Sequence, residues 1–215
     1  MPKLKVGVLV FPGTNCNMET KKALEEAGFE SVYIWHEEKK VSKDIKAFVI
    51  PGGFSYGDYL EAGKMATFST IMYEIKELSQ KGVPILGICN GFQILCSSGI
   101  LEGALLMNRE GKFISRWVDV LVENDQTPFT CELKKGEILR MPIAHKFGNY
   151  FYRDKSKVKP VFKYKENPNG SLEDIAGICS PSQNVVALMP HPERAIGLVS
   201  SDGKKIFASL KKWFS

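Results

Sequence analysis

One short stretch, residues 83–99, limits the possible fold more than any other part of the chain. It reads VPILGICNGFQILCSSG, an apolar strand that leads into Cys89 and then into an apolar helix. Gly87 and Gly91 flank the cysteine at two residues' distance, where a side chain would collide with the backbone of a sharp strand-to-helix turn. Such a turn places the sulfur at the carboxyl end of a sheet and beside a helix N-terminus, whose partial positive charge stabilises an anion. The stretch therefore predicts a nucleophile elbow, and a structural cysteine behind a tight turn is the alternative.

The N-terminal half alternates strand-like and helix-like segments. Short apolar strands are predicted at 4–10, 31–35 and 47–50, and a helix at 18–27 ends before Gly28. Apolar residues from Met65 to Leu78 recur at helical spacing and predict one long amphipathic helix before the elbow strand. This alternation predicts an α/β fold with a mostly parallel open sheet flanked by helices.

The C-terminal half has a different pattern. Apolar and polar residues alternate at 118–122, and turn residues separate the strand-like segments from one another. These segments predict antiparallel additions to the sheet, followed by a final amphipathic helix. The further predicted strands are 138–143, 161–164, 175–179 and 185–189, and the helix spans 206–214.

Length and composition predict one globular domain spanning residues 1–215. The chain is 44% hydrophobic and 25% charged, and no apolar run approaches the roughly 20 residues that cross a bilayer. The N-terminus leads straight into a predicted strand, so we expect no signal peptide. Five cysteines without paired spacing favour free thiols in a reducing, cytoplasmic compartment. Three histidines without ligand spacing predict no metal site.

The net charge of +5 is unevenly distributed. Between Cys131 and Lys165 the chain carries ten Lys or Arg residues and three Asp or Glu. The segment lacks the interleaved aromatic residues typical of nucleic-acid modules, so we expect no nucleic-acid partner. A solvated face and a docking surface for an acidic protein both remain open.

A base for Cys89 is predicted in the segment MPHPER, residues 189–194. It follows the apolar strand 185–189, which could be a central member of the same sheet. His191 and Glu193 are two residues apart, so in extended backbone their side chains point to the same side. The carboxylate could then fix the imidazole tautomer while the other ring nitrogen faces the sulfur.

Attack on a carbonyl group also requires hydrogen-bond donors for the oxyanion that develops. The elbow supplies one donor, the backbone amide of Asn90. The Gly52-Gly53 turn follows another predicted strand, and the amide of Gly53 is the candidate for the second donor. An ordinary tight turn is the alternative interpretation of this glycine pair.

Three motifs together resemble the class I (triad) glutamine amidotransferases: GICNGFQ, PGGFSYGDY and MPHPER. More narrowly, the chain is similar to the glutaminase subunits of phosphoribosylformylglycinamidine synthase, an enzyme of purine biosynthesis. This similarity extends over nearly the whole chain, because five further segments match in order: VFPGTNCN, ENDQTPFT, MPIAHKFGNYF, ENPNGS and IAGI. The resemblance implies a flavodoxin-like sheet.

The resemblance also implies a role for each predicted site residue. Cys89 would form a γ-glutamyl thioester and release ammonia, with His191 as the base and Glu193 as the group that orients it. The segment 145–150 would lie over the site. The residues implied to hold glutamine are Gly52, Gln93 and His145.

The resemblance implies partners as well as a reaction. Ammonia would pass to a large ATP-dependent synthetase subunit (PurL), which converts formylglycinamide ribonucleotide to formylglycinamidine ribonucleotide, and a small subunit (PurS) would complete the assembly. The chain contains no Walker-type phosphate-binding loop. We therefore expect no cofactor in this chain, with ATP and Mg²⁺ held by the synthetase subunit.

The sequence departs from the family pattern at positions outside the triad. The family commonly has Asp at the position of Asn17, Arg at the position of Glu61 and Gly-Glu at the positions of Lys146-Phe147.

Two alternatives to a glutaminase subunit are a cysteine hydrolase of the DJ-1/PfpI type and a non-catalytic assembly subunit. The first commonly has His directly after the nucleophile, where this chain has Asn90, and the complete Cys-His-Glu set argues against the second. Amidotransferase subunits of pyridoxal phosphate or GMP synthesis are disfavoured by PGGFSYGDY and by the segment 144–150.

Overall fold

A nine-stranded mixed sheet forms the centre of the computed structural model, which describes residues 3–215. The strands of this sheet and of a second, two-stranded sheet are β1 (Lys5–Val10), β2 (Glu30–Trp35), β3 (Ile45–Ile50), β4 (Ile85–Ile88), β5 (Ala104–Leu106), β6 (Ile114–Val122), β7 (Ile138–His145), β8 (Asn149–Phe151), β9 (Lys159–Tyr164), β10 (Ile175–Cys179) and β11 (Val185–Leu188). The α-helices are α1 (Asn17–Glu26), α2 (Ile71–Gln80), α3 (Asn90–Ser97) and α4 (Gly203–Trp213). The large sheet has the order β2-β1-β3-β4-β11-β10-β9-β6-β7, and β5 pairs with β8.

The large sheet divides into a parallel and an antiparallel half. Strands β2, β1, β3, β4 and β11 run parallel, whereas β10, β9, β6 and β7 continue the sheet in antiparallel pairs. The predicted fold class, including the antiparallel C-terminal additions, is therefore confirmed. The short pair β5–β8 was not predicted.

The register of the parallel half brings three strand ends together. Strand β4 lies between β3 and β11, with Val49 opposite Leu86 and Leu188 opposite Ile88. Carboxyl ends of neighbouring parallel strands meet at one edge of a sheet. The segments that follow β3, β4 and β11 carry the glycine turn, the cysteine and the histidine of the predicted site, so the topology places all three at this edge.

Helix α3 connects the site to the core. It packs on β3, β4 and β11, and its side chains Phe92, Ile94 and Leu95 are fully buried. Full burial of such a side chain stabilises a fold by about 1.5–3 kcal/mol. The helix that begins at the predicted nucleophile is thus anchored from its first turn.

The predicted long helix over 65–78 is wrong in one respect, because the structure divides it. A short 3₁₀ turn at Met65–Phe68 is followed by Ser69 in extended conformation (ψ 142°), and only then by α2. The Ser69 hydroxyl lies 2.9 Å from the Tyr56 hydroxyl. This contact with the glycine-rich loop fixes the break, and Phe68 is left largely exposed.

Two other expectations concern the environment of the chain. Among the described residues, no helix has both the length and the apolar character needed to cross a membrane. All five cysteines are free thiols.

In the basic stretch between Cys131 and Lys165, some cationic side chains pair with acidic side chains of the same chain. Arg140 pairs with Asp119, and Lys155 pairs with Glu173.

Candidate active site

Cys89 occupies the apex of a strained turn between β4 and α3. Its backbone has φ +51° and ψ −102°, a conformation that costs an ordinary residue about 1–3 kcal/mol. The Cys89 amide donates to the Leu188 carbonyl (2.8 Å), which ties the turn to β11. A Cβ atom on Gly91 would lie 2.0 Å from the Ile50 carbonyl oxygen, and one on Gly87 would lie 2.9 Å from backbone atoms of Gly91. The two glycines therefore allow the close approach that the sequence predicted.

His191 and Glu193 form a buried pair at the end of β11. The His191 amide donates to the Pro142 carbonyl (2.8 Å), and its Nδ1 lies 2.5 Å from Glu193 Oε1. Both side chains are almost completely buried. Because the carboxylate engages Nδ1, the other ring nitrogen, Nε2, is left without a partner among the described residues.

The electrostatics of this pair favour a charged imidazole. Burial acts to lower the pKa of His191, but the negative charges of Glu193 and Cys89 outweigh it and hold the pKa well above its usual value. A neighbouring anion stabilises a protonated imidazole. The pair is thus arranged to accept a proton from the sulfur.

Cys89 and His191 line one small cavity of about 160 Å³, together with Cys16, Gly53 and Arg194. The Cys89 sulfur also lies 3.7 Å from the Ala144 carbonyl oxygen. The structure therefore brings the predicted nucleophile and base to the same space, although they are about one hundred residues apart in the chain.

Cys16 is a second buried thiol in this cavity. An Arg194 guanidinium nitrogen donates to its sulfur at 3.0 Å. The donor atoms of Cys16, His191 and Glu193 lie within 4.8 Å of one another, the spacing of a possible metal site. However, the guanidinium cation beside the sulfur opposes a second cation, and His191 and Glu193 already bond to each other. The cluster therefore fits a hydrogen-bonded support for the histidine better than a metal centre.

The two predicted oxyanion donors flank Cys89. Asn90 is the first residue of α3, so its amide has no acceptor within the helix. Gly53 lines both of the cavities that Cys89 lines and has φ +148°, a conformation that glycine adopts readily. Its neighbours are held by the loop after β1, since the Phe54 amide donates to the Gly13 carbonyl (3.0 Å).

The Asn90 side chain has a function that the sequence interpretation did not assign. Its carbonyl oxygen accepts from the Ser55 amide (3.1 Å), and its Nδ2 donates to Gln93 Oε1 (2.8 Å) and to Asp58 Oδ1 (3.3 Å). This one amide therefore fixes the loop after β3 to the elbow. Gln93 in turn donates from Nε2 to the Phe147 carbonyl (2.6 Å), which holds the segment 145–150 over the site.

His145 is held in one tautomer by Asn108. The Asn108 Nδ2 donates to the carbonyls of Lys112 and His145, so its Oδ1 is the atom that faces His145 Nδ1 (3.1 Å) and the Gly148 amide (3.1 Å). Burial, with a smaller effect from the charge of His191, lowers the pKa of His145 to about 3. His145 is therefore neutral, with its proton on Nδ1 and its Nε2 a buried acceptor without a partner among residues 3–215.

A second, very small pocket lies between the elbow and this segment. Its volume is about 20 Å³, enough for about one water molecule. Its lining includes Cys89, Gln93 and His145, together with Lys146 from the segment 145–150 and Asp58, which was not predicted. The pocket has to widen before it can admit an amino acid, and the exposed Lys146 side chain lies on its rim.

Three residues of the site were not predicted from the sequence: Asp58, Cys16 and Asn108. The first two lie within motifs that carried the resemblance, PGGFSYGDY and VFPGTNCN, so membership in those motifs was the available signal. Asn108 lies in no such motif. It reaches the site through a loop whose position depends on β5 and β8.

The fold and this arrangement define a class, an α/β protein with a cysteine nucleophile elbow and a histidine–carboxylate pair at the carboxyl edge of its sheet. Comparison with known proteins narrows the class. The family model described as "CobB/CobQ-like glutamine amidotransferase domain" matches residues 3–163 and 150–214. The chain therefore belongs to this glutamine amidotransferase family.

Individual relatives are similar to this chain over nearly its full length. The chain is 48% identical over 221 residues to phosphoribosylformylglycinamidine synthase subunit PurQ of Pyrococcus horikoshii, with 98% of each chain covered. It is 49% identical over 210 residues to the PurQ subunit of Thermotoga maritima, with 97% of each covered. The structure titled "Structure of PurLQS from Thermotoga maritima" contains a chain with TM-score 0.95 and 47% identity, covering 99% of this chain and 100% of that one. Another glutamine amidotransferase from Thermotoga maritima shares the fold, with TM-score 0.62 at 18% identity, covering 100% of this chain and 82% of that one.

Proposed function

We propose that the chain is the glutaminase subunit of phosphoribosylformylglycinamidine synthase. It hydrolyses glutamine to glutamate and ammonia and passes the ammonia to an ATP-dependent synthetase subunit. The observation that carries the proposal is the strained Cys89 elbow, which shares a cavity with His191, and His191 in turn contacts Glu193. The relatives named PurQ, 48–49% identical over nearly the whole chain, support the substrate assignment.

The proposed reaction begins with attack of the Cys89 sulfur on the side-chain carboxamide carbon of glutamine. His191 takes the thiol proton, and the carbonyl oxygen becomes an oxyanion that the backbone amides of Asn90 and Gly53 stabilise. His191 then gives its proton to the departing nitrogen, so that the C–N bond breaks, ammonia leaves and a γ-glutamyl thioester remains on the sulfur.

Hydrolysis of the thioester uses the same groups in reverse. A water molecule transfers a proton to His191 and attacks the thioester carbon. The C–S bond then breaks to release glutamate, and the proton passes from His191 to the sulfur. The Glu193 carboxylate keeps the imidazole in the orientation and tautomer that both halves need. In this proposal, Gly52, Gln93 and His145 shape the space around glutamine, and the free Nε2 of His145 accepts a hydrogen bond from it.

The partners and surroundings are part of the same proposal. The large synthetase subunit PurL and the small subunit PurS assemble with this chain, and ATP and Mg²⁺ bind to the synthetase rather than to residues 1–215, which act as one domain without a cofactor. A relative found in a structure titled PurLQS supports this assembly. We place the reaction in the cytoplasm, consistent with five free thiols.

Reconstitution tests the proposal. We expect slow glutamine hydrolysis by the isolated chain and at least 10²-fold faster hydrolysis after addition of PurL, PurS, formylglycinamide ribonucleotide and ATP–Mg²⁺, because one oxyanion donor is worth about 10²–10³ in rate. The glycine turn at Gly53, which lies beside the exposed Phe54, is the element that a partner could reorient. Full turnover by the isolated chain, unchanged on mixing, would contradict partner control.

Two other candidates predict different results. A non-catalytic assembly subunit would leave Cys89 unlabelled by a glutamine analogue that alkylates the nucleophile. A hydrolase of the DJ-1/PfpI type would not increase its glutaminase rate when the synthetase subunits are added.

A further inference from the structure

We propose that Asp58 binds the α-ammonium group of glutamine and that Lys146 binds its α-carboxylate. The inference rests on the proposed function and deepens it, because it assigns the two charged groups by which the site distinguishes a free amino acid from other carboxamides. Neither side chain takes part in the bond-making steps. Both line the small pocket that also contains Cys89 and Gln93.

The position of Asp58 is built into the loop after β3. The residue has φ +54°, a left-handed conformation that aspartate adopts more often than most residues other than glycine. Its Oδ1 accepts from Asn90 Nδ2 (3.3 Å), and the Gly63 backbone also contacts its carboxylate. The carboxylate is thus fixed directly to the residue that follows the nucleophile.

The charge of Asp58 is not neutralised within the chain. Among residues 3–215, no lysine, arginine or histidine lies within ion-pair distance of its carboxylate. Burial raises the pKa of this carboxyl to about 6, because the ionised form is partly removed from water without a cation beside it. A bound ammonium group would supply the missing cation and favour the ionised form.

Lys146 supplies the opposite charge on the same pocket. It directly follows the buried His145, its side chain is exposed, and no carboxylate of the described chain lies within ion-pair distance of its ammonium group. Its Nζ lies 6.0 Å from the centre of the Phe147 ring, in the segment that Gln93 anchors. The pocket therefore presents an anion and a cation, the complement of an amino acid's head group.

This polarity also sets the direction in which glutamine binds. The lining of the pocket includes the nucleophile and the Gly53 turn as well as Asp58 and Lys146, and the Lys146 side chain is exposed. With the head group held by Asp58 and Lys146, the side-chain carboxamide extends toward the sulfur. Fixing a substrate in this way lowers the entropic part of the barrier.

The test compares glutamine with glutaramate, the same carboxamide without an α-amino group, in the complex reconstituted with the synthetase subunits. We expect the wild-type kcat/KM to be about 10- to 100-fold higher for glutamine, the range of a charge-assisted hydrogen bond. Asp58→Asn should lower kcat/KM for glutamine by this factor and leave glutaramate nearly unchanged. Glu61→Gln, which removes an exposed charge three residues away, is the matched control and should keep the wild-type ratio.

The second arm concerns the carboxylate. Lys146→Met should reduce the preference for glutamine over its α-amide by about tenfold without changing the preference over glutaramate. Each preference is a ratio of two kcat/KM values measured on the same variant. A general loss of folding or docking lowers both values equally and therefore cancels from the ratio.

The outcomes separate the two proposals. Absence of Cys89-dependent hydrolysis by the wild-type complex would overturn the proposed function and this inference with it. Normal wild-type hydrolysis, combined with an Asp58→Asn variant that keeps the glutamine-to-glutaramate ratio or loses both substrates equally, would overturn the inference alone.

Discussion

Replacement of Gly91 by alanine tests the elbow itself. The new Cβ would lie 2.0 Å from the Ile50 carbonyl oxygen, whereas an ordinary carbon–oxygen contact is about 3.3 Å. The start of α3 would therefore have to move about 1.3 Å away from β3. Overpacking of this kind costs about 1–3 kcal/mol, and we expect about 3 kcal/mol because both partners are backbone segments of the core.

The same displacement should affect the reaction, because Cys89 lies two residues before Gly91. A misplacement of about 1 Å can cost about 10²-fold in rate, so glutamine-dependent turnover should fall at least that far. Urea denaturation measures the first effect, and glutamine hydrolysis by the reconstituted complex measures the second. Gly197→Ala is the control, since its Cβ would meet no atom within 4 Å. A Gly91→Ala protein within about 0.5 kcal/mol and threefold of wild type would refute the elbow geometry.

Two further predictions concern the charged groups. His191→Ala should lose nearly as much glutaminase activity as removal of the nucleophile, because base and nucleophile act as a unit. Glu193→Gln should lose less activity because it keeps the contact to His191 Nδ1. Near-normal glutamine turnover by His191→Ala would contradict this prediction. Asp58 should destabilise the fold as pH rises from about 4 to about 6, because its pKa is raised from 3.8 to about 6 in the folded chain and the unfolded chain ionises first. Asp58→Asn should therefore be more stable than wild type at pH 7.5, by about 1 kcal/mol after allowance for partial exposure, and no more stable near pH 4. Equal denaturation midpoints of Asp58→Asn and wild type at both pH values would count against the buried charge.

The parts of the site that follow from local sequence were predictable. Glycine spacing around Cys89 indicated the elbow, and the two-residue spacing of His191 and Glu193 indicated that their side chains point to the same side. In the structure His191 Nδ1 lies 2.5 Å from Glu193 Oε1. The proximity of the two segments depends on β11 pairing with β4, and no local pattern specifies that pairing.

Contacts between distant segments were not predictable. The Arg194 guanidinium meets the Cys16 sulfur across 178 residues, and Asp58 meets the Asn90 side chain across 32. The break at Ser69 has the same origin, because a tyrosine from another loop overrides a helical apolar pattern. Where local helix propensity is weak, tertiary contacts of this kind determine the backbone structure.

The central claim is that Cys89 performs the step for which the chain has no substitute. The most direct measurement compares two activities of the complex reconstituted with Cys89→Ala, one driven by glutamine and one driven by free ammonium. We expect the glutamine-driven activity to be abolished and the ammonium-driven activity to match wild type, because ammonium bypasses the thioester. Retention of glutamine-driven activity, or equal loss of both, would contradict the account.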